Sequence, residues 1–170
     1  KDKRPNIKSI SISGIKTIGN YVFDGCAQIT SISFPDSVTT IGDYSFRNCN
    51  KLSSIQSWNK VTSIGSYSFQ GCSVLNSLTL PTTLKTIGQS AFESTKITTL
   101  SIPKSITSIG LYAFRYCNSL KTITVHSENE KYYVEPQGAL IEKTSTTDIT
   151  LVLYPKQKTD LTYYQIPNDI

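Results

Sequence analysis

The chain has 170 residues, a formal net charge of +5 and only 17% charged residues, which fits one domain with a continuous core and argues against a disordered tail or a coiled coil. Its lysines are scattered, with no Lys/Arg run longer than two, so nothing marks a nucleic-acid-binding patch, which would cluster its charge. No apolar run approaches the ~20 residues that span a bilayer, and the opening Lys1-Asp2-Lys3-Arg4-Pro5 carries no signal-peptide core.

Ser and Thr together number 44; mixed with Ile and Val, they favour short solvated strands over long helices. In chain order, a partial unit opens the sequence with Ile7, Ile10, Ile12, Ile15 and Ile18. The dipeptide Ile-Gly then recurs at Ile18-Gly19, Ile41-Gly42, Ile64-Gly65, Ile87-Gly88 and Ile109-Gly110, with spacings of 23, 23, 23 and 22. Five residues after each Ile stands Phe23, Phe46, Phe69, Phe92 or Phe114, and three further on Cys26, Cys49, Cys72, Thr95 or Cys117. The aliphatics Ile29, Leu52, Leu75, Ile97 and Leu120 follow, then Ile32, Ile55, Leu78, Leu100 and Ile123. One such unit cannot bury its own apolar residues, but stacked units can pack each Phe, Leu and Ile on its copy in the next turn.

The L-x-x-I-x-I stretch ends with apolar spacing of two and predicts a short parallel strand, so the copies predict one sheet along the array. Pro35, Pro81 and Pro103 lack the N–H a ladder needs and close these strands. The Gly of Ile-Gly is expected to supply freedom for a tight bend, and the Tyr/Ser-x-Phe stretch after it to form a helical turn on the convex side. The fold class that follows is a right-handed parallel β solenoid, mostly strand and turn. Residues 1–126 form the regular array of one partial and about five whole units.

The unit resembles the BspA-like leucine-rich repeat, a 23-residue class whose hallmark matches the runs Ile41 to Cys49 and Ile64 to Cys72. The resemblance covers residues 7–125 closely. It implies a secreted or cell-surface, adhesin-like protein that binds an extracellular matrix protein or a partner cell.

After Val125 the pattern breaks: His126 replaces the expected Pro, and no Ile-Gly occurs in 127–165. Ala139-Leu140-Ile141 and Ile149 to Tyr154, with polar Lys143–Asp148 between them, predict a hairpin. Ile166-Pro167-Asn168-Asp169-Ile170 returns to the pattern of Phe34-Pro35-Asp36-Ser37-Val38. Residues 127–170 thus read as an irregular unit, either interrupting a longer array, which we expect, or capping it.

Four places invite a functional reading. Four Cys in a secreted chain ordinarily suggest disulfides. Cys26, Cys49, Cys72 and Cys117, however, share one slot, where parallel side chains make poor disulfide geometry, and Thr95 fills the same slot; buried thiols are expected. The residues flanking the strand's core Ile should face solvent on the concave side: Ser31 and Ser33, Ser54 and Gln56, Ser77 and Thr79, Thr99 and Ser101, continued by Thr122 and Thr124. This stripe is the candidate protein-binding face of a solenoid, although it holds none of the aromatic and Arg residues that dominate interfaces. Trp58, the only Trp, sits in a Pro slot beside Ser57, which has replaced a core residue. It either fills the gap at Ser57 or lies exposed as an interaction hot spot. Tyr21, Tyr44, Tyr67 and Tyr112 recur two residues after the Gly as half-buried spacers.

Nothing points to catalysis. His126 is the only His, with no nucleophile–base signature around it, and the chain has neither a paired-carboxylate motif nor a phosphate-binding Gly-rich loop. Spacings of 23 are not metal-ligand spacings. The expectation is a monomer that binds protein, with no enzymatic activity, cofactor, metal, nucleic acid or small-molecule substrate. It would act outside the cell or on its surface.

Overall fold

A computed structural model describes residues 6–144, 149–153 and 155. Stacked turns of the repeat make a parallel β solenoid of about five turns. The continuous sheet is not at the expected place. It is built from two-residue strands at the Thr/Ser-Ile pair before each Gly: β1 (Thr17–Ile18), β3 (Thr40–Ile41), β5 (Ser63–Ile64), β6 (Thr86–Ile87) and β8 (Ser108–Ile109), in that order. Every pairing is parallel and in register with the repeat, Ile on Ile.

The L-x-x-I-x-I stretch forms strands as expected but not one sheet. β2 (Ser31–Ser33) pairs with β4 (Ser54–Gln56), and β7 (Thr99–Ile102) with β9 (Thr122–Val125). The third turn, Ser77 to Leu80, is not part of a strand. The cause lies at Ser57, whose φ of 53° takes the backbone out of the extended region. One turn earlier, the Phe34 N–H donates to the Gln56 carbonyl at 3.2 Å. The matching carbonyl one turn on, Thr79, accepts instead from the indole Nε1 of Trp58 at 3.0 Å.

A third set of inter-turn bonds runs through the Tyr-x-Phe stretch. The N–H groups of Tyr21, Phe23 and Gly25 donate to the carbonyls of Asp43, Ser45 and Arg47 at 2.9, 2.8 and 2.7 Å, and the pattern repeats at each turn to Ser94 on Arg115. Within a turn, i→i+3 bonds such as Arg47 N–H to Tyr44 O and Cys49 N–H to Phe46 O reverse the chain repeatedly, so this side is a succession of tight turns. The left-handed conformation they need falls on Tyr21, Tyr44, Tyr67, Ser90 and Tyr112, with φ of 60°, 57°, 59°, 50° and 62°.

The expected role of the Ile-Gly glycine is therefore corrected. Gly42, Gly65, Gly88 and Gly110 are absent from the positive-φ positions. They are required by proximity: a Cβ on Gly88 would lie 2.5 Å from the Gly65 carbonyl carbon, and one on Gly110 2.4 Å from the Gln89 nitrogen. Neighbouring turns touch backbone to backbone here, and only hydrogen fits.

The core is a set of ladders. Phe23, Phe46, Phe69, Phe92 and Phe114 stack with centroid separations of 5.1, 5.3, 5.3 and 5.6 Å. Ile18, Ile41, Ile64, Ile87 and Ile109 form a second buried row, and Ile29, Leu52, Leu75, Ile97 and Leu120 a third.

The repeat backbone continues past Val125, further than the sequence pattern shows. The Asn129 N–H donates to His126 O, as Ile106 does to Pro103 O. Asn129 follows Ile106 by 23 residues, and Tyr132 follows Ile109 by the same number. Both are buried. Beyond them three further strands follow. β10 (Tyr132–Val134), β11 (Leu140–Lys143) and β12 (Ile149–Leu153) form an antiparallel sheet in chain order. Tyr154 and the repeat-like residues 166–170 lie outside the described residues.

Candidate functional site

The hydroxyl stripe forms two rows. One holds Ser31, Ser54, Ser77, Thr99 and Thr122, the other Ser33, Gln56, Thr79, Ser101 and Thr124. Both flank the largely buried Ile32, Ile55, Leu78, Leu100 and Ile123. In-register pairing sets Ser31 beside Ser54, Ser33 beside Gln56, Thr99 beside Thr122 and Ser101 beside Thr124. All are exposed except Ser54, which is half-buried. Hydroxyls bond along the row, as from Thr124 Oγ1 to Ser101 Oγ at 3.1 Å. The five segments 28–34, 51–57, 74–80, 96–102 and 119–125 contain Lys51, Lys96 and Lys121 but no Asp or Glu, so this side is uncharged to basic.

Trp58 is not an exposed hot spot; it is 5% exposed and belongs to the core. Its ring meets Phe69 edge-on at 6.3 Å and 85°, as Phe34 meets Phe46 at 5.8 Å and 81°. Its carbonyl accepts from Val61 N–H just as Pro35 O accepts from Val38 N–H. Trp58 thus holds the Pro slot with its backbone and the Phe slot with its ring, which compensates for Ser57.

The four cysteines are free and buried. The thiols of Cys49, Cys72 and Cys117 each donate to a Phe carbonyl of the preceding turn (Phe23, Phe46 and Phe92) at 3.3 Å. Thr95 fits the row by donating to Phe92 O at 2.9 Å. Burial pushes the Cys49 thiol up to about 12, the adjacent Cys26 adding to the effect. The Cys72 and Cys117 thiols are raised for the same first cause. Protonated, enclosed thiols are poor nucleophiles and poor metal ligands. Among the described residues no group of three or more His, Cys, Asp or Glu could hold a metal ion, and no helix is long and apolar enough to cross a membrane.

The turn side carries what the strand side lacks. Tyr21, Tyr44 and Tyr67 stack face to face at 4.6 and 4.7 Å, within 9° of parallel. Tyr44 and Tyr67 are half-buried; Tyr21 and Tyr112 are exposed. Arg47 lies over Tyr44 at 4.8 Å and binds Asp24 with two nitrogens at 3.0 and 2.6 Å. At the fifth turn, Arg115 lies over Tyr112 at 4.9 Å and Tyr116 at 4.4 Å, next to Leu111, which is 65% exposed. Sequence reasoning passed over this cluster. Its signal was departure from the repeat: Leu111 stands where other units have Asn20, Asp43, Ser66 or Gln89, and Tyr116 where they have Gly25, Asn48, Gly71 or Ser94.

The solenoid is similar to solved bacterial structures. A leucine-rich repeat protein from Eubacterium ventriosum matches with 32% identity and a TM-score of 0.79, over 90% of this chain and 40% of that one. One from Bacteroides ovatus matches with 34% identity and a TM-score of 0.63, over 72% and 34%. A leucine rich cell surface protein from Faecalibacterium prausnitzii matches with 26% identity and a TM-score of 0.56, over 88% and 53%. The chain spans about half or less of each of these proteins. No curated protein sequence matches it. The model of the BspA type leucine rich repeat region matches residues 2–121 in six copies. With stacked Phe, Ile and Cys ladders repeating in that same register, the chain belongs to the BspA-type leucine-rich repeat family.

Proposed function

We propose that this solenoid is a protein-binding module of a secreted or cell-surface protein, adhesin-like, engaging a matrix or cell-surface protein through its strand side. The observation that carries the reading is the pair of largely exposed, hydroxyl-rich rows, Ser31 to Thr122 and Ser33 to Thr124, which offer hydrogen-bonding groups held in register where the strands pair. The similarity to a protein described as a leucine rich cell surface protein supports the location. Lys51, Lys96 and Lys121, with no acid among them, favour a neutral or acidic partner surface. The test is binding of the chain to immobilised matrix proteins, fibronectin among them. Ser77→Asp and Ser101→Asp, both at exposed positions, should abolish binding and leave the melting temperature unchanged. Retained binding would refute the strand face as the site.

One observation favours a second reading. The rows lack the aromatic and Arg anchors that supply most interface energy, which suits a spacer that holds another domain away from a surface and has no ligand of its own. Failure to bind any matrix or cell preparation is its expected result.

A further inference from the structure

The fold sorts charges that the sequence leaves scattered. Within 19–126, the segments 28–41, 51–64, 74–87, 96–109 and 119–126 run over the strand side and back to each Ile-Gly. They hold Lys51, Lys60, Lys85, Lys96, Lys104 and Lys121 against a single acid, Asp36. The turn segments between them hold Arg47 and Arg115 against Asp24, Asp43 and Glu93. Six lysines against one aspartate leave +5 on the first set, and two arginines against three acids leave −1 on the second. The cation type is sorted too: both arginines lie over tyrosine rings of the turn side, and the strand side has lysine alone.

All six lysines are exposed, and they frame the hydroxyl rows. On the leading edge, Lys51, Lys96 and Lys121 adjoin the buried Leu52, Ile97 and Leu120. On the trailing edge, Lys60 and Lys104 lie inside the turns closed by Val61 N–H on Trp58 O and Ile106 N–H on Pro103 O, at 3.0 and 3.3 Å. Lys85 directly follows the equivalent turn, closed by Leu84 N–H on Pro81 O at 3.0 Å. Every turn from the second to the fifth thus adds at least one cation. With parallel strands about 4.8 Å apart, the track extends about 14 Å along the solenoid. Among the described residues only Lys104 of the six has an ion pair, with Glu128; Lys51 donates to the neutral Gln28 Oε1 at 2.8 Å.

We infer that this lysine-framed strand side binds a linear sulfated polysaccharide lying along the solenoid. A cationic track several turns long attracts a polyanion more strongly than it attracts a single charge. Lysine is a flexible point charge, whereas the planar arginine fork is the better match to carboxylate and phosphate; an all-lysine track therefore suits sulfate esters that present oxygens at varied angles. The hydroxyl rows between the two edges supply donors and acceptors for sugar hydroxyls. Nucleic acid fits less well. Unpaired bases bind by stacking on aromatic rings, and the aromatics of these segments, Phe34 and Trp58, are buried. The inference shares the strand side with the reading above but does not rest on a protein partner. A chain that binds the polysaccharide and no matrix protein keeps this inference and loses that one.

The test measures binding of the full 170-residue chain to immobilised heparin, beside alginate, whose charges are all carboxylates, and a duplex DNA. Heparin is expected to bind at least tenfold tighter than either. Its binding should weaken at least tenfold as NaCl rises from about 50 to about 200 mM, because paired charges release counterions. Lys51→Gln, Lys96→Gln and Lys121→Gln together should weaken heparin binding at least tenfold and leave the melting temperature unchanged, since all three side chains are exposed. Arg115→Gln, on the turn side, should change it less than twofold. Four results would overturn the inference: no heparin binding at low salt; equal binding of alginate or DNA, showing that any polyanion suffices; a triple variant that binds like the wild type, placing the contact elsewhere in the chain; or a loss from Arg115→Gln as large as that of the triple variant, placing it on the turn side.

Discussion

Because one slot recurs in every turn, each residue can be judged against its copies. Ser45 and Ser68 are fully buried, and neither hydroxyl has a hydrogen-bond partner among the described residues. Ala91 and Ala113 hold the same slot in later turns and are buried as well. An unsatisfied buried hydroxyl costs about 1–3 kcal/mol, so Ser68→Ala should stabilise the chain by about 1 kcal/mol, visible as a higher urea midpoint at unchanged slope. A lower midpoint would mean that the hydroxyl has a partner in solution. The glycine slot gives the opposite case. A Cβ at Gly88 would sit 2.5 Å from backbone atoms of the previous turn, and backbone cannot swing aside as a side chain can. Gly88→Ala should cost at least about 3 kcal/mol, at the upper end of overpacking penalties. Gly14, with φ of 68° and nothing within 4 Å of a Cβ, should lose only about 1 kcal/mol on the same change. Equal costs at the two positions would contradict the proximity account. The sequence revealed the glycine's periodicity but not its reason, because contact with another turn leaves no mark on the residues beside it.

Among the elements, legibility depended on length. The strands around Ile32 and Leu100 alternate apolar and polar residues over several positions, and that alternation is readable. The five-stranded sheet is made of two-residue strands, too short to show any alternation. It escaped notice although its Ile was the most regular mark in the chain. The Ser57-Trp58 irregularity was visible, and its consequence was not: one displaced ring both restores the core and interrupts a ladder. Trp58 packs on Phe69 and bonds Thr79 O, so the two contributions separate by mutation. Trp58→Ala should cost about 3–5 kcal/mol through the cavity it leaves. Trp58→Phe keeps an aromatic ring in the Phe34-like position and loses chiefly one hydrogen bond, costing about 1 kcal/mol. Wild-type fluorescence should be blue-shifted and poorly quenched by iodide. Ready quenching would show that the ring is not enclosed.

For the whole molecule, the ladders couple stability to pH. Asn129 and Tyr132 hid the sixth turn from sequence reading because polar side chains took slots that five earlier turns gave to aliphatic ones. Their burial also adds Tyr132 to the groups that must stay protonated. Burial raises the Tyr132 hydroxyl to about 12 from an ordinary 10.0, with the bond from Ile109 partly opposing the rise. The Cys49 thiol rises to about 12 from 9.0, and Cys72 and Cys117 also lie above 9.0. Each of these acids is neutral in the fold and ionises at lower pH once unfolded. The unfolded chain therefore releases protons first, and stability falls as pH rises. The sign fixes the window: the contribution is complete below about pH 8.5, declines first through the thiols, and declines further when tyrosines of the unfolded chain ionise above about pH 10. The melting temperature should thus be flat from pH 7 to 8.5 and fall steadily up to pH 11. Replacing Cys49, Cys72 and Cys117 by Thr, the residue that position 95 already accommodates, removes these three raised thiols and leaves Tyr132 in place. That variant should hold its melting temperature between pH 8.5 and 10 and fall with the wild type only above. If both chains lose stability equally between pH 8.5 and 10, the thiol row does not carry the alkaline limit, and it must be sought in surface charge.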